Sequence, residues 1–129
     1  MPAGTRSAKD TQRDYRAEER RLPPLPMGAT WNPAVIQSAD DHGVPVTYQY
    51  GLGFQFADSH WECLWLGKIL QDSTTSPDYG RDLAILGRYT STYIYVNQSD
   101  ARALFDPMYS AARLGDTSGL SHAYSSCTG

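Results

Sequence analysis

The residues whose types and spacing could support catalysis lie in one short segment. Asp58 and Glu62 are carboxylates, and His60 between them is an imidazole. Such groups are common general acids and bases, so a small hydrolase that uses these three side chains is one hypothesis. The segment also fits a helix N-terminus, with Asp58 or Ser59 as the cap and Glu62 completing a capping box. We favour this structural interpretation, because it needs no substrate, and we assign no catalytic residue.

The rest of the sequence indicates neither a cofactor nor a metal site. Its three histidines, His42, His60 and His122, include no pair spaced four apart and no ligand spacing. There is no phosphate-binding loop of the Gly-x-x-x-x-Gly-Lys type and no nucleophile elbow. The predictions are therefore no cofactor and no metal, and a non-catalytic protein is favoured over an enzyme while the hydrolase alternative stays open.

The two cysteines suggest a disulfide. Cys63 falls on a predicted helix and Cys127 lies in a polar tail that a covalent bond would anchor. In the chain-entropy treatment, closing a loop of this length with a disulfide stabilises the fold by roughly 4 kcal/mol. The alternative is a buried free Cys63 and an incidental Cys127 in a reducing compartment. We predict the bond, and with it an extracytoplasmic location, secreted or membrane-tethered.

A proline-rich segment could bind another protein. Arg20 begins an Arg-x-Leu-Pro-Pro-Leu-Pro sequence that contains Pro23 and Pro26. Ligands of SH3-like domains share this pattern, because the prolines fill aromatic grooves and the Arg meets an acidic pocket. A stiff spacer between a tether and a domain has the same composition. Arg20, Pro23, Pro26 and His60 are the predicted binding candidates.

The charge distribution narrows the choice of partners. Residues 6–21 carry six Lys/Arg and four Asp/Glu, whereas residues 22–129 carry five and ten. Scattered cations on an acidic body give no footprint for a phosphate backbone, so nucleic-acid binding is not predicted. The apolar runs are far shorter than the roughly 20 residues of a spanning helix. We expect no membrane span in this chain, a possible upstream anchor, and a protein as partner.

Several motifs together resemble a known group. They are the proline-rich run up to Trp31, the Tyr-Gln-Tyr-Gly-Leu-Gly turn at 48–53, Trp-Glu-Cys-Leu-Trp at 61–65 and the terminal Cys127. They resemble small extracytoplasmic proteins of actinobacteria, usually tethered by an upstream membrane helix. The resemblance implies a location and a disulfide, and it implies no activity. Our leading hypothesis is thus a non-catalytic extracytoplasmic binding or accessory domain.

Hydrophobic periodicity predicts the elements that position these residues. We expect a charged arm at 1–21, helical or disordered, a proline-rich spacer at 22–31 and one α+β domain at 32–129. A small antiparallel hairpin from residues 34–38 and 44–50 should pack on two or three helices, closed by the disulfide. Gly51 and Gly53 are interpreted as a turn.

Three helices are predicted, from about Ser59, Ser76 and Ser99. Residues 93–96 are β-prone and expected to be extended, and Pro107 should kink or restart the third helix. Residues 116–129 should form a loop or one turn. The arm has no apolar stripe, so a helix there is expected to be solvated and its removal to leave the melting temperature nearly unchanged.

Overall fold

The computed structural model describes residues 4–127, and within this range the chain is an α+β protein, as predicted. Two short antiparallel strands accompany six α-helices. The strands are β1 (Thr5–Ser7) and β2 (Thr47–Gln49). The helices are α1 (Ala8–Arg21), α2 (Leu52–Gln71), α3 (Pro77–Leu86), α4 (Tyr93–Asn97), α5 (Ser99–Arg113) and α6 (Ser118–Ser125). Single 3-10 turns occur at Pro33–Val35 and Gly87–Ser91.

The antiparallel element contains the predicted second strand, but that strand pairs with a different partner. β2 pairs with β1, so that Thr5 lies opposite Gln49 and Ser7 opposite Thr47. The two segments expected to form a hairpin share one isolated bridge, between Ala39 and Pro45, and hydrogen bonds between the Tyr48 hydroxyl and the backbone of Gln37. The start of the arm is thus part of the sheet.

Helix α1 is not a solvated arm, and that expectation was wrong. It packs along α2 and buries Tyr15, Thr11 and Glu18, each about 1 % exposed. These residues lie at helical spacing, so α1 has a buried face that is largely polar. The Thr11 hydroxyl donates a hydrogen bond to the carbonyl of Ser7. The side chain of the same serine caps the N-terminus of α1. The absence of an apolar stripe therefore did not mean the absence of a packed face.

Helix α2 begins seven residues before the predicted start at Ser59. Gly51 precedes it in a left-handed conformation, φ 98°, which favours glycine. Gly53 lies at the crossing with α1, where a Cβ would overlap the carbonyl oxygen of Thr11. Gly51 therefore lies in the predicted turn, whereas Gly53, which was interpreted as part of the same turn, lies in the first turn of α2 and allows α1 to approach it.

The segment predicted to be a spacer lies against α2. Leu22 belongs to the main hydrophobic core. The indole N–H of Trp61 donates to the carbonyl of Pro23 at 2.9 Å, and that of Trp65 to the carbonyl of Pro24 at 3.1 Å. Buried indoles need such acceptors, and the proline carbonyls supply them.

The second half of the chain follows the predicted helices with three differences. α3 begins as predicted, with the Ser76 cap and Pro77 in its first turn. The segment expected to be extended forms the short helix α4, and α5 continues through Pro107. The predicted terminal loop contains α6, whose Leu120 is completely buried in the core.

The predicted disulfide is confirmed. Cys63 on α2 and Cys127 after α6 are bonded, with Cα atoms 5.9 Å apart, within the range expected for such a bond. The bond ties the C-terminal segment to the central helix. No helix of residues 4–127 has the length and apolar character required to cross a membrane.

Loss of this bond should lower the free energy of unfolding by roughly 2–4 kcal/mol, because the unfolded chain regains the freedom of a long loop. The measurement is urea unfolding of Cys127→Ser, with the reduced wild-type protein as control. Both should show the same loss. Labelling of two thiols after unfolding without reductant would show instead that the cysteines are free.

Candidate functional site

The three residues of the hypothetical acid-base site do not converge. Asp58 and Glu62 are one helical turn apart on α2, and His60 projects from the opposite side at 100° per residue. The His60 Nε2 lies 2.7 Å from the carbonyl oxygen of Thr30, and its ring lies against Trp31. All three residues lie inside α2, so the predicted capping box at its N-terminus is also wrong.

Asp58 instead forms a buried carboxyl pair with Glu18 of α1. Both side chains are at most 1 % exposed. Together they bind the start of α4: the amide of Tyr93 donates to Glu18 and that of Ile94 to Asp58, each at 2.9 Å. Arg21 also donates to Glu18 at 2.9 Å. The pair therefore joins α1, α2 and α4.

One proton is shared within this pair. Burial, and after it the hydrogen bond to Glu18, raises the pKa of Asp58 to about 9. Burial would also raise the pKa of Glu18, but hydrogen bonds from Asp58, the Tyr93 amide and Arg21 outweigh it and lower that pKa. Asp58 Oδ1 is buried and accepts no hydrogen bond from any group of residues 4–127. Asp58 is therefore a neutral donor to ionised Glu18, in a place that no substrate reaches.

Glu62 is the third carboxyl of this region and has a different environment. It is half-buried, and its carboxylate has no hydrogen bond or ion pair with residues 4–127. Burial raises the pKa of Glu62 to about 7. Burial and, to a smaller extent, the nearby carboxyl of Glu62 raise the pKa of Tyr89. Glu62 and Tyr89 are thus held in an apolar environment that favours their neutral forms.

A groove of about 1070 Å³ lies along one face of α2. We call it the α2 groove. Its floor runs from Phe56 to Gln71, about 22 Å at 1.5 Å per residue. Floor residues include Phe56, Ser59, His60, Cys63, Leu64, Gly67, Lys68 and Gln71. The floor is thus a straight helix face of about four turns, open to solvent.

The two rims of the α2 groove carry exposed apolar side chains. Met27, on the loop after the proline-rich segment, is completely exposed, and Val35 beyond it is 49 % exposed. Tyr124 of α6, on the other rim, is 45 % exposed and covers Gly67. The disulfide lies beside Tyr124 and fixes this rim. The groove is therefore lined by elements held to α2 on both sides.

The only cation on the floor, Lys68, is neutralised within the fold. Its Nζ lies 2.8 Å from carboxylate oxygens of both Asp72 and Asp82, which joins α2 to α3. Among residues 4–127 no cluster of three His, Cys, Asp or Glu could hold a metal ion. The groove therefore offers mainly apolar contact and neutral polar groups, together with the unpaired carboxyl of Glu62, whose pKa burial raises to about 7.

The structure separates the predicted binding residues. Pro26 and His60 line the α2 groove, whereas Arg20 and Pro23 do not. Arg20 is exposed on α1, and the carbonyl of Pro23 is bound by Trp61. A partner that engaged the whole proline motif would have to compete with this contact.

Sequence reasoning missed Met27, Leu64 and Tyr124 as binding candidates. Leu64 could have been found, because Phe56, His60 and Leu64 form a second row at helical spacing on α2.

Compared with protein-family models, with curated proteins and with solved structures, the chain matches none.

Proposed function

We propose that this protein is a non-catalytic extracytoplasmic binding domain whose α2 groove receives a helical segment of a partner protein. The observation that carries the proposal is the groove itself, with its straight floor of about 22 Å and exposed apolar rims. An amphipathic helix fits such a surface, because its apolar face can lie along the floor while its polar face stays in water.

The chemistry of the groove supports a mainly apolar segment, because Glu62 is the one charged lining side chain without a partner among residues 4–127. Lys68 is already paired with two carboxylates, and His60 is bound to Thr30. Met27 and Tyr124 supply the flexible and aromatic side chains that are enriched at protein interfaces. The partner's anchors should therefore be Leu, Met or aromatic side chains.

The proposed location outside the cytoplasm rests on the disulfide. Such bonds persist in oxidising compartments and are rare where thiols are kept reduced. The resemblance to small extracytoplasmic proteins of actinobacteria agrees with this location. The hydrolase hypothesis lacks support, since Asp58 is buried in a structural pair on the side of α2 opposite to His60.

Peptide selection tests the groove. A displayed library of amphipathic helices is selected against the wild-type protein, and the enriched peptides are measured against two arginine variants. Ser59→Arg places a long cation on the groove floor, and Ser110→Arg places the same side chain on the exposed surface of α5. Enriched peptides should bind wild type and Ser110→Arg equally and Ser59→Arg at least about tenfold more weakly.

Equal binding to both variants would place the interaction elsewhere and overturn the proposal. So would the absence of any enriched helix. Circular dichroism of both variants checks that the fold is retained, since exposed serines on helices tolerate substitution.

A further inference from the structure

The exposed face of α1 carries four cations in one line. Lys9, Arg13, Arg16 and Arg20 are spaced by four, three and four residues, and all are exposed. At 100° per residue they fall within an arc of about 60°, and they extend over about 16 Å. No other α1 residue falls in this arc. We call these four residues the basic stripe; it faces away from the buried side chains of Tyr15 and Glu18.

Only part of this charge is neutralised. Arg13 pairs with Asp10 and Arg16 with Glu19, at 3.3 Å and 3.2 Å, and both pairs are at the surface. Exposed pairs of this kind are weak and are screened by salt. Lys9 and Arg20 form no ion pair with any residue of the described range 4–127. The stripe is thus a local cationic surface on a chain with a net charge of −3.

We propose that the basic stripe docks the domain onto an anionic lipid bilayer. A bilayer is a flat plane that meets only the crest of a helix, and the crest of α1 is entirely cationic. Each Lys or Arg at such a surface gains on the order of 1 kcal/mol, roughly a fivefold change in binding. The stripe contacts headgroups without inserting, since it carries no apolar side chain.

The same geometry disfavours other anionic partners. A protein partner usually gains most of its affinity from buried aromatic or apolar anchors, and the stripe offers none. A duplex groove would enclose α1 on both sides and bring phosphates against the flanking carboxylates of Asp10 and Glu19. A flat surface avoids both problems. The stripe lies on α1 and the α2 groove on α2, so this inference does not depend on the groove having a partner.

Vesicle sedimentation tests the proposal with the full chain at about 0.05 M salt, where surface charges are weakly screened. One set of vesicles is pure phosphatidylcholine, and the other contains about one-third phosphatidylglycerol. Lys9→Gln/Arg20→Gln removes the two unpaired cations of the stripe and leaves every carboxylate of α1 with the ion-pair partner it has in the wild type. Arg88→Gln/Arg113→Gln is the matched control, because both residues are exposed, form no ion pair with residues 4–127 and lie outside α1.

The wild-type protein should bind only the anionic vesicles and be released by high salt. The stripe variant should bind roughly 30-fold more weakly, whereas the control should change less than about twofold. No binding to anionic vesicles would overturn the proposal, and so would equal weakening by both variants. Salt-sensitive binding to duplex DNA or polyglutamate, without binding to vesicles, would assign the stripe to that partner instead.

Discussion

A chain that lacks residues 1–21 should show no cooperative unfolding transition, although its sequence pattern predicted an arm that could be removed. The deletion takes away β1 and the whole of α1, including Tyr15 and Glu18, each about 1 % exposed. It uncovers the α2 face on which α1 packs and leaves the buried carboxyl of Asp58 without Glu18. Together these losses exceed the typical stability of a small domain.

Thermal unfolding followed by circular dichroism measures this effect. The control is Arg13→Gln/Arg16→Gln, which lowers the charge of α1 but leaves its buried face intact. Exposed substitutions of this kind should change the free energy of unfolding by no more than about 1 kcal/mol. A truncated chain that melts cooperatively within a few degrees of the full protein would support the solvated arm and contradict the packing.

Where local signals were strong, the sequence predicted the helices well. The Ser76 cap with Pro77 placed the start of α3 correctly, and Trp61, Trp65 and Ile69 are buried as their spacing indicated. The disulfide was predictable because only one pairing within the chain exists for two cysteines. These features depend on residues close in sequence or on simple counting.

Other features depend on contacts that no local pattern encodes. Gly53 lies in the first turn of α2, where its lack of a side chain admits α1, but in the sequence the same glycines would equally suit a turn. Glu18 is buried because distant groups such as the Tyr93 amide complete its hydrogen bonds, and Thr11 is buried although its hydroxyl donates to the nearby carbonyl of Ser7. A polar face that is satisfied by tertiary partners has no hydrophobic signature in the sequence.

The candidate site was predicted only in part for the same reason. Pro26 and His60 were selected as binding residues, and both line the α2 groove. Met27 and Tyr124 were missed because they lie far apart in the sequence and meet only when the loop and α6 dock on α2. The groove is a product of tertiary packing, so its rims could not be read from the sequence.

Asp58→Asn should stabilise the protein at neutral and alkaline pH. The pKa of Asp58 is raised from 3.8 to about 9, so the folded state binds more protons than the unfolded state between these values. The free energy of unfolding of the wild type therefore falls as pH rises through this window, by up to about 1.4 kcal/mol per pH unit. The lowered pKa of Glu18 acts in the opposite direction, but only near and below its usual value.

Asparagine reproduces the neutral carboxyl without titrating. Its amide can donate to Glu18, and its oxygen can accept from the Ile94 amide, as Asp58 does. The stabilisation should thus be small near pH 5 and reach roughly 2–4 kcal/mol by pH 7–8. Urea unfolding across this range measures it, with Asp41→Asn, an exposed aspartate without partners in residues 4–127, as control. A difference that stays constant with pH, or a destabilised variant at pH 8, would mean that Asp58 is ionised in the native protein.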